Sequence, residues 1–283
     1  MKRILLLLFS LTAVLCSAAP KVDFQSSDKT LVERLLTSQT SLRGKTMGET
    51  VLHFARALKG IPYVGGTLDK ATEERLVVNL RALDCTTYVE TVLALALCSR
   101  NGETSFDDYC RHLRDIRYAD GRVEYTARQH YFTYWIEQNA RQGIVSRVEP
   151  SPADIKTGDH PFTAWQDFSK TPVNYMSPHI SSYKMLSAHR EWLPGIRRME
   201  QTMAQRRYRY IPKSALGKSN TRNLRRYIKD GDIIAIITSK KGLDTSHIGI
   251  AVWHSDGLHM LNASQIHKKV VEEPMTLHTY MNR

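Results

Sequence analysis

Cysteine is scarce in this chain. Four occur in 283 residues, and no two are spaced Cys-x-x-Cys. No His-Glu-x-x-His run occurs either. The simplest linear zinc signatures are therefore missing. Acidic residues are in deficit, with 28 Asp and Glu against 40 Lys and Arg, a net charge of +12. A basic surface suits anionic partners such as nucleic acid, acidic lipid or carboxylate-bearing wall fragments, and charge alone does not choose among them. No internal repeat or low-complexity linker is present. What is present is a chain that is 42% hydrophobic and 8% aromatic. That supplies a sizeable core, for one large domain or two small ones.

The first residues indicate the compartment. Lys2 and Arg3 precede an apolar run from Ile4 through Leu15, and small residues follow at Ser17, Ala18 and Ala19. This three-part pattern is a secretory signal peptide, residues 1–18, with cleavage after Ala18. Pro20 would directly follow a cut after Ala19, and the bulky Leu15 argues against lipid attachment at Cys16. Export to the periplasm weakens the nucleic-acid reading, and no stable membrane insertion is expected once the signal is removed. Cys85, Cys98 and Cys110 then remain. Three is odd, so at least one thiol stays unpaired in a monomer. Cys98 and Cys110 either pair or are both buried.

One of these cysteines sits where a helix should begin. From Val89, apolar residues recur at Val92, Leu93, Ala96 and Leu97, which is helical spacing. Asp84 suits the N-cap, placing Cys85 in the first turn. The positive end of the helix dipole there favours a thiolate, which is the nucleophilic form. The Cys85 N–H has no partner within the helix and is free to face an oxyanion. The structural alternative is a small buried hydrophobe at a helix start.

Elsewhere, Asp28 to Leu42 reads as a helix. Thr46 and Glu49 form a capping box for a second helix that Gly60 ends. The loop Ile61-Pro62-Tyr63-Val64-Gly65-Gly66 follows. Its paired glycines fit either a tight turn or a close backbone approach. Ser105 and Asp108 cap a helix from Tyr109 to Ile116, and His130 to Gln142 is another. Residues 146–227 carry seven of the ten prolines and many arginines. They read as an insertion with one or two helices around Tyr183 to Gln205, placed to wall a cleft. The last part is β: Ile233 to Thr238, Ser246 to Trp253, Leu258 to Ser264, and Val270 to Glu272. Helices first and an antiparallel sheet after is an α+β order.

The second and third of these strands carry a testable geometry. If His254 to Gly257 form the hairpin turn, Trp253 faces Leu258 and His247 faces Ser264. Asn262 then lies diagonally from His247, about 7–8 Å away at Cα and within side-chain reach. An amide oxygen accepting from one ring nitrogen leaves the other aimed at a thiol, which is Cys–His–Asn logic. A structural histidine and a turn-bonding asparagine are the alternatives. A metal cluster from His247, His254 and His259 is disfavoured, because His254 falls in the turn and no carboxylate stands at ligand spacing beside it.

Several motifs now combine in order: IPYVGGTLD, LDCTTYVET, KTPVNYMSPH, RYIPK, DGDIIAI, DTSHIGIAV, LHMLNASQ and IHKKVV. Together they resemble the NlpC-type cysteine peptidases. They resemble most the N-acetylmuramoyl-L-alanine amidase-like branch of that superfamily, over essentially the whole mature chain. The resemblance implies a papain-like α+β core within a single catalytic domain, residues 19–283. It implies Cys85 as nucleophile, His247 as base and acid, Asn262 as the residue orienting the histidine, and Tyr63 as the loop tyrosine near the thiol. It implies no cofactor and no metal. The implied reaction cuts the lactyl–L-alanine amide of 1,6-anhydro-N-acetylmuramoyl peptides during wall recycling, with the muropeptide as partner and no nucleic acid. Relatives are expected to add a closing strand beyond the position of Arg283, so an unpaired sheet edge is expected here. Asp84, Asn174, Ser246 and Trp165 are candidates for lining the cleft. Their structural alternatives are cap, turn former, strand edge and interior aromatic. Rival functions are a D-glutamyl–diaminopimelate endopeptidase, a zinc amidase and a non-catalytic wall-binding module.

Overall fold

The computed structural model describes residues 21–38, 42–150 and 163–283. The expected signal peptide, residues 1–18, lies outside the described residues. The chain begins with β1 (Val22–Asp23), α1 (Ser26–Thr37), α2 (Met47–Ala57) and β2 (Leu76–Val77). Then come α3 (Cys85–Asn101), α4 (Phe106–Arg117) and α5 (Phe132–Arg141). The proline-rich part holds β3 (Ala164–Asp167), α6 (Lys184–Ala188), α7 (Leu193–Met203), β4 (Arg207–Tyr210) and α8 (Thr221–Tyr227). The chain closes with β5 (Ile233–Ile237), β6 (Thr245–Trp253), β7 (Leu258–Ser264), β8 (Lys269–Glu272) and α9 (Leu277–Met281). Helices before an antiparallel sheet make this an α+β fold. No helix among the described residues is long and apolar enough to cross a membrane.

Helix α3 is the centre of the packing. The Asp84 carboxylate accepts the Thr87 N–H at 2.8 Å, and the Thr87 hydroxyl accepts the Asp84 N–H at 2.9 Å. Two otherwise orphaned donors at the helix start are thereby satisfied. Gly102, at φ 72°, ends the helix. Every residue from Thr87 to Ala96 is buried, as expected of a helix enclosed on all sides. Val32 and Leu36 of α1, Phe54 of α2 and Leu113 of α4 share its core with Ile248, Ile250 and Val252 of β6 and Leu261 of β7. One ion pair lies inside this core, Arg117 donating to Glu90 at 2.7 Å. Helix α1 stops at Thr37 instead of reaching Leu42. The Thr37 and Ser38 hydroxyls turn back to bond carbonyls of that last turn, which competes with helix continuation.

The four-stranded sheet runs β5-β6-β7-β8, all antiparallel. Trp253 pairs with Leu258, and the His254 N–H donates to the Gly257 carbonyl at 2.9 Å, so the expected hairpin register is the observed one. Between β5 and β6 the register slips, since Ile236 faces His247 while Ile237 faces Thr245. Ser246 is the extra residue of a β-bulge, a device that re-aims the neighbouring side chain. Gly48 and Gly231 let α2 meet the turn before β5, because a Cβ at 231 would lie 2.5 Å from the Gly48 Cα.

The expected open edge at β8 is closed by the tyrosine loop. The Gly60 N–H donates to Val270, the Val270 N–H to Ile61, and the Tyr63 N–H to Lys268. On its other side the same loop bonds Leu83, which donates to Pro62 at 3.0 Å and accepts from Val64 at 3.1 Å. A continuous set of backbone bonds thus runs from the residues before Cys85, across the loop, to β8 and β7. It fixes the start of α3 against the sheet.

The proline-rich segment differs from expectation in carrying a two-stranded antiparallel sheet, β3 with β4. Each strand has only four residues, AWQD and RYRY, too short a run to read from sequence. Its own apolar cluster holds Phe168, Met176, Leu186, Ile196 and Met203, joined by Tyr125 and Tyr131. The Tyr131 hydroxyl ties it together, donating to Glu200 and accepting from the Met176 N–H, each at 2.8 Å.

Candidate active site

Cys85 is the first residue of α3. The backbone of Ile248, the residue beside His247, and Thr86 each act to lower the pKa of its thiol. The helix start therefore sits against β6 where the bulge redirects the strand. Burial, and then the Asp84 carboxylate, push the thiol above its ordinary 9.0. The expected thiolate is thus not the resting form. A helix N-terminus contributes about half a positive charge, and here a whole negative charge and desolvation oppose it.

The His247 ring is pulled below its ordinary 6.5, chiefly by burial, with the Asn262 hydrogen bond and the Glu273 charge opposing. The Nε2 of His247 lies 3.0 Å from the Asn262 carboxamide oxygen, so Nε2 donates and Nδ1 holds the lone pair. Asn262 is fully buried. Gly249 lies between His247 and Ala251 on the same face of β6, and a Cβ there would come 2.5 Å from Met260 Cγ. Met260 packs into the space a side chain there would need.

Tyr63 lies in the loop that bonds Leu83, two residues before Cys85. Its hydroxyl is pushed above its ordinary value by burial, then by Cys85 and by Asp84. Three residues that sequence reasoning missed complete the surroundings. Glu273, fully buried, accepts from the Asn262 amide nitrogen at 3.0 Å. His267 bonds its other carboxylate oxygen at 3.1 Å. Tyr280 of α9 lies nearly parallel to His247, with ring centres 6.3 Å apart. None of these belongs to a recognisable local motif. The only signal for Glu273 is a carboxylate directly after a strand that pairs with the strand of Asn262.

The remaining candidates are placed elsewhere or otherwise used. Asp84 acts as the helix cap described above. Ser246 is exposed on the bulge, its hydroxyl donating to the Ile236 carbonyl at 3.4 Å. Asn174 is exposed and its N–H donates to Gly242, in the connection between β5 and β6, so it stands on neither strand of the triad. Trp165 lies on β3, 47% exposed, with the guanidiniums of Arg209 and Arg207 over its ring at 4.2 and 4.8 Å. Those cations occupy ring surface that a sugar would need. Among the described residues, two groups have donor atoms close enough to share a metal ion: Cys98–Glu103–His112 and His254–Asp256–His259. Neither contains Cys85 or His247. Cys98 and Cys110 are both buried free thiols.

The α+β frame thus carries a helix-start thiol, a strand histidine and, bonded to that histidine, a buried carboxamide. The family model described as AmiA-like, N-acetylmuramoyl-L-alanine amidase-like, matches residues 53–283, and the chain belongs to that family. Membership makes it an amidase-like protein with a peptidoglycan-derived substrate. It is similar to the crystal structure of an N-acetylmuramoyl-L-alanine amidase from Bacteroides uniformis ATCC 8492, at 33% identity and TM-score 0.72, over 83% of this chain and 93% of that one. A Bacteroides fragilis protein that carries a provisional xylanase name is similar at 35% identity and TM-score 0.68, over 81% and 94%. A Legionella pneumophila protein at 21% identity and TM-score 0.63, over 90% of both chains, shares the fold. No curated protein matches the chain.

Proposed function

We propose that this chain is an exported, NlpC-type cysteine amidase that hydrolyses the lactyl–L-alanine amide of 1,6-anhydro-N-acetylmuramoyl peptides. The observation that carries the reading is the 3.0 Å contact between His247 and Asn262, on a strand whose next residue, Ile248, belongs to the core that Cys85 packs against. As Cys85 attacks the lactyl carbonyl, its proton passes to Nδ1 of His247 and a carbon–sulfur bond forms. The carbonyl electrons move onto oxygen. The Cys85 N–H and the Tyr63 hydroxyl hold that oxyanion.

His247 next gives its proton to the L-alanine nitrogen, the carbon–nitrogen bond breaks, and a thioester remains. Water loses a proton to His247 and adds to the thioester carbonyl. The carbon–sulfur bond then breaks, the thiol regains its proton, and the sugar acid leaves. Asn262 stabilises the imidazolium by accepting from Nε2 throughout. The papain-like core, the signal peptide, periplasmic location and a role in wall recycling belong to the same proposal.

Mass spectrometry of products from defined muropeptides, with and without the anhydro ring, tests it. Free peptide beginning at L-alanine, released faster from the anhydro substrate, is expected. Cleavage between D-glutamate and diaminopimelate would make it an endopeptidase instead. Loss of activity to a chelator but not to a thiol alkylator would assign a metal mechanism.

A further inference from the structure

We propose that Glu273 is a positioning residue of this site: its carboxylate holds the Asn262 carboxamide with oxygen, not nitrogen, toward His247. The inference rests on the thiol–imidazole reading above and assigns a role that reading leaves open. A carboxamide has two nearly isosteric ends, one accepting and one donating. Contact with a histidine alone does not choose between them, because imidazole offers either a donor or an acceptor. An ionised carboxylate only accepts, and Oε1 of Glu273 lies 3.0 Å from the Asn262 amide nitrogen. Reversing the amide would set two acceptors against each other in a fully buried site.

Every later choice follows from that one. The Asn262 oxygen faces His247, so Nε2 of His247 must carry hydrogen, and Nδ1 keeps the lone pair that takes the thiol proton. With the amide reversed, its NH₂ would donate to Nε2, Nδ1 would carry the hydrogen, and the base would be lost.

Glu273 is itself clamped. Its N–H donates to the Met260 carbonyl at 2.9 Å, and its carbonyl accepts from Nδ1 of His259 at 2.8 Å. Its second carboxylate oxygen accepts from His267 at 3.1 Å. Both oxygens and both backbone groups are thereby committed, so the carboxylate has no freedom to turn away from Asn262.

The test uses the full-length protein. Glu273→Gln keeps the shape but presents an amide that can face Asn262 either way. Its kcat should fall about 10²-fold, the usual worth of a positioned base, with KM within about twofold. Because Glu273 acts through Asn262, the same change in an Asn262→Ala background should cost less than about threefold. Nitrogen-15 resonances of His247 give a reading independent of turnover. They should show Nε2 protonated in the wild type and a mixed or reversed tautomer in Glu273→Gln and Glu273→Leu. Wild-type kcat in Glu273→Leu, an equal loss in both backgrounds, or an unchanged tautomer in Glu273→Leu would overturn the role. Turnover surviving in Cys85→Ala would instead overturn the thiol chemistry on which it rests.

Discussion

His247 and Asn262 sit on the adjacent antiparallel strands β6 and β7, with Nε2 and Oδ1 3.0 Å apart. The contact sets which imidazole nitrogen is free. Asn262→Ala should lower kcat about 10²-fold, the order of a general-base contribution. Steady-state kinetics on a muropeptide would measure this. A variant within about threefold of wild type would show that the carboxamide is not needed to orient the ring.

The directions of the two pKa shifts determine the pH profile. His247 is held below 6.5 and Cys85 above 9.0. The neutral pair is the active form, so kcat/KM should fall only below pH 6.5, as His247 is protonated, and only above pH 9.0, as the thiol ionises. The thiolate ultraviolet absorbance, wild type minus Cys85→Ala, should be missing at neutral pH. A thiolate signal there would mean a resting ion pair.

The loop of Tyr63 is bonded to Lys268 on one side and Leu83 on the other. Tyr63→Phe keeps the ring and removes the donor. Its kcat should drop about 10²–10³-fold, the usual cost of one oxyanion donor. Rates close to wild type would remove the hydroxyl from the oxyanion site.

The other two thiols should be inert. Burial pushes both Cys98 and Cys110 up to about 12. Brief alkylation of the native protein near pH 8 followed by peptide mapping should label Cys85 alone. Prompt labelling of Cys98 would contradict the packing of α3 against α4.

Stability at low pH should depend on Glu272. Arg56 holds this carboxylate at about 2, against its ordinary 4.5, with His254 and Lys59 helping. A depressed folded value contributes stability that is fully present above 4.5 and lost as pH falls toward 2. Arg56 is half exposed, so the pair is worth no more than about 1 kcal/mol. Thermal melts of Glu272→Gln should lie below wild type at neutral pH and converge with it in acid. A gap that persists near pH 2 would point to lost packing instead.

Local chemistry was legible in the sequence, and long-range pairing was not. The Asp84 cap announced where α3 starts. The His254–Gly257 turn fixed the β6–β7 register and so brought His247 to Asn262. The bulge at Ser246, the bonding of residues 60–63 to β8 and the approach of Tyr280 each join segments with no shared local pattern. Glu273 looked like one more acid after a strand. The upward shift of the Cys85 thiol, from burial and then from Asp84, was not legible because burial is not local and Asp84 was weighed only as a cap.

The most direct test is turnover of a defined anhydro-muropeptide by Cys85→Ala, with folding checked by its melt. Hydrolysis should vanish, while the wild type releases a peptide whose first residue is L-alanine. Normal release of that peptide by the folded variant would contradict the proposed nucleophile.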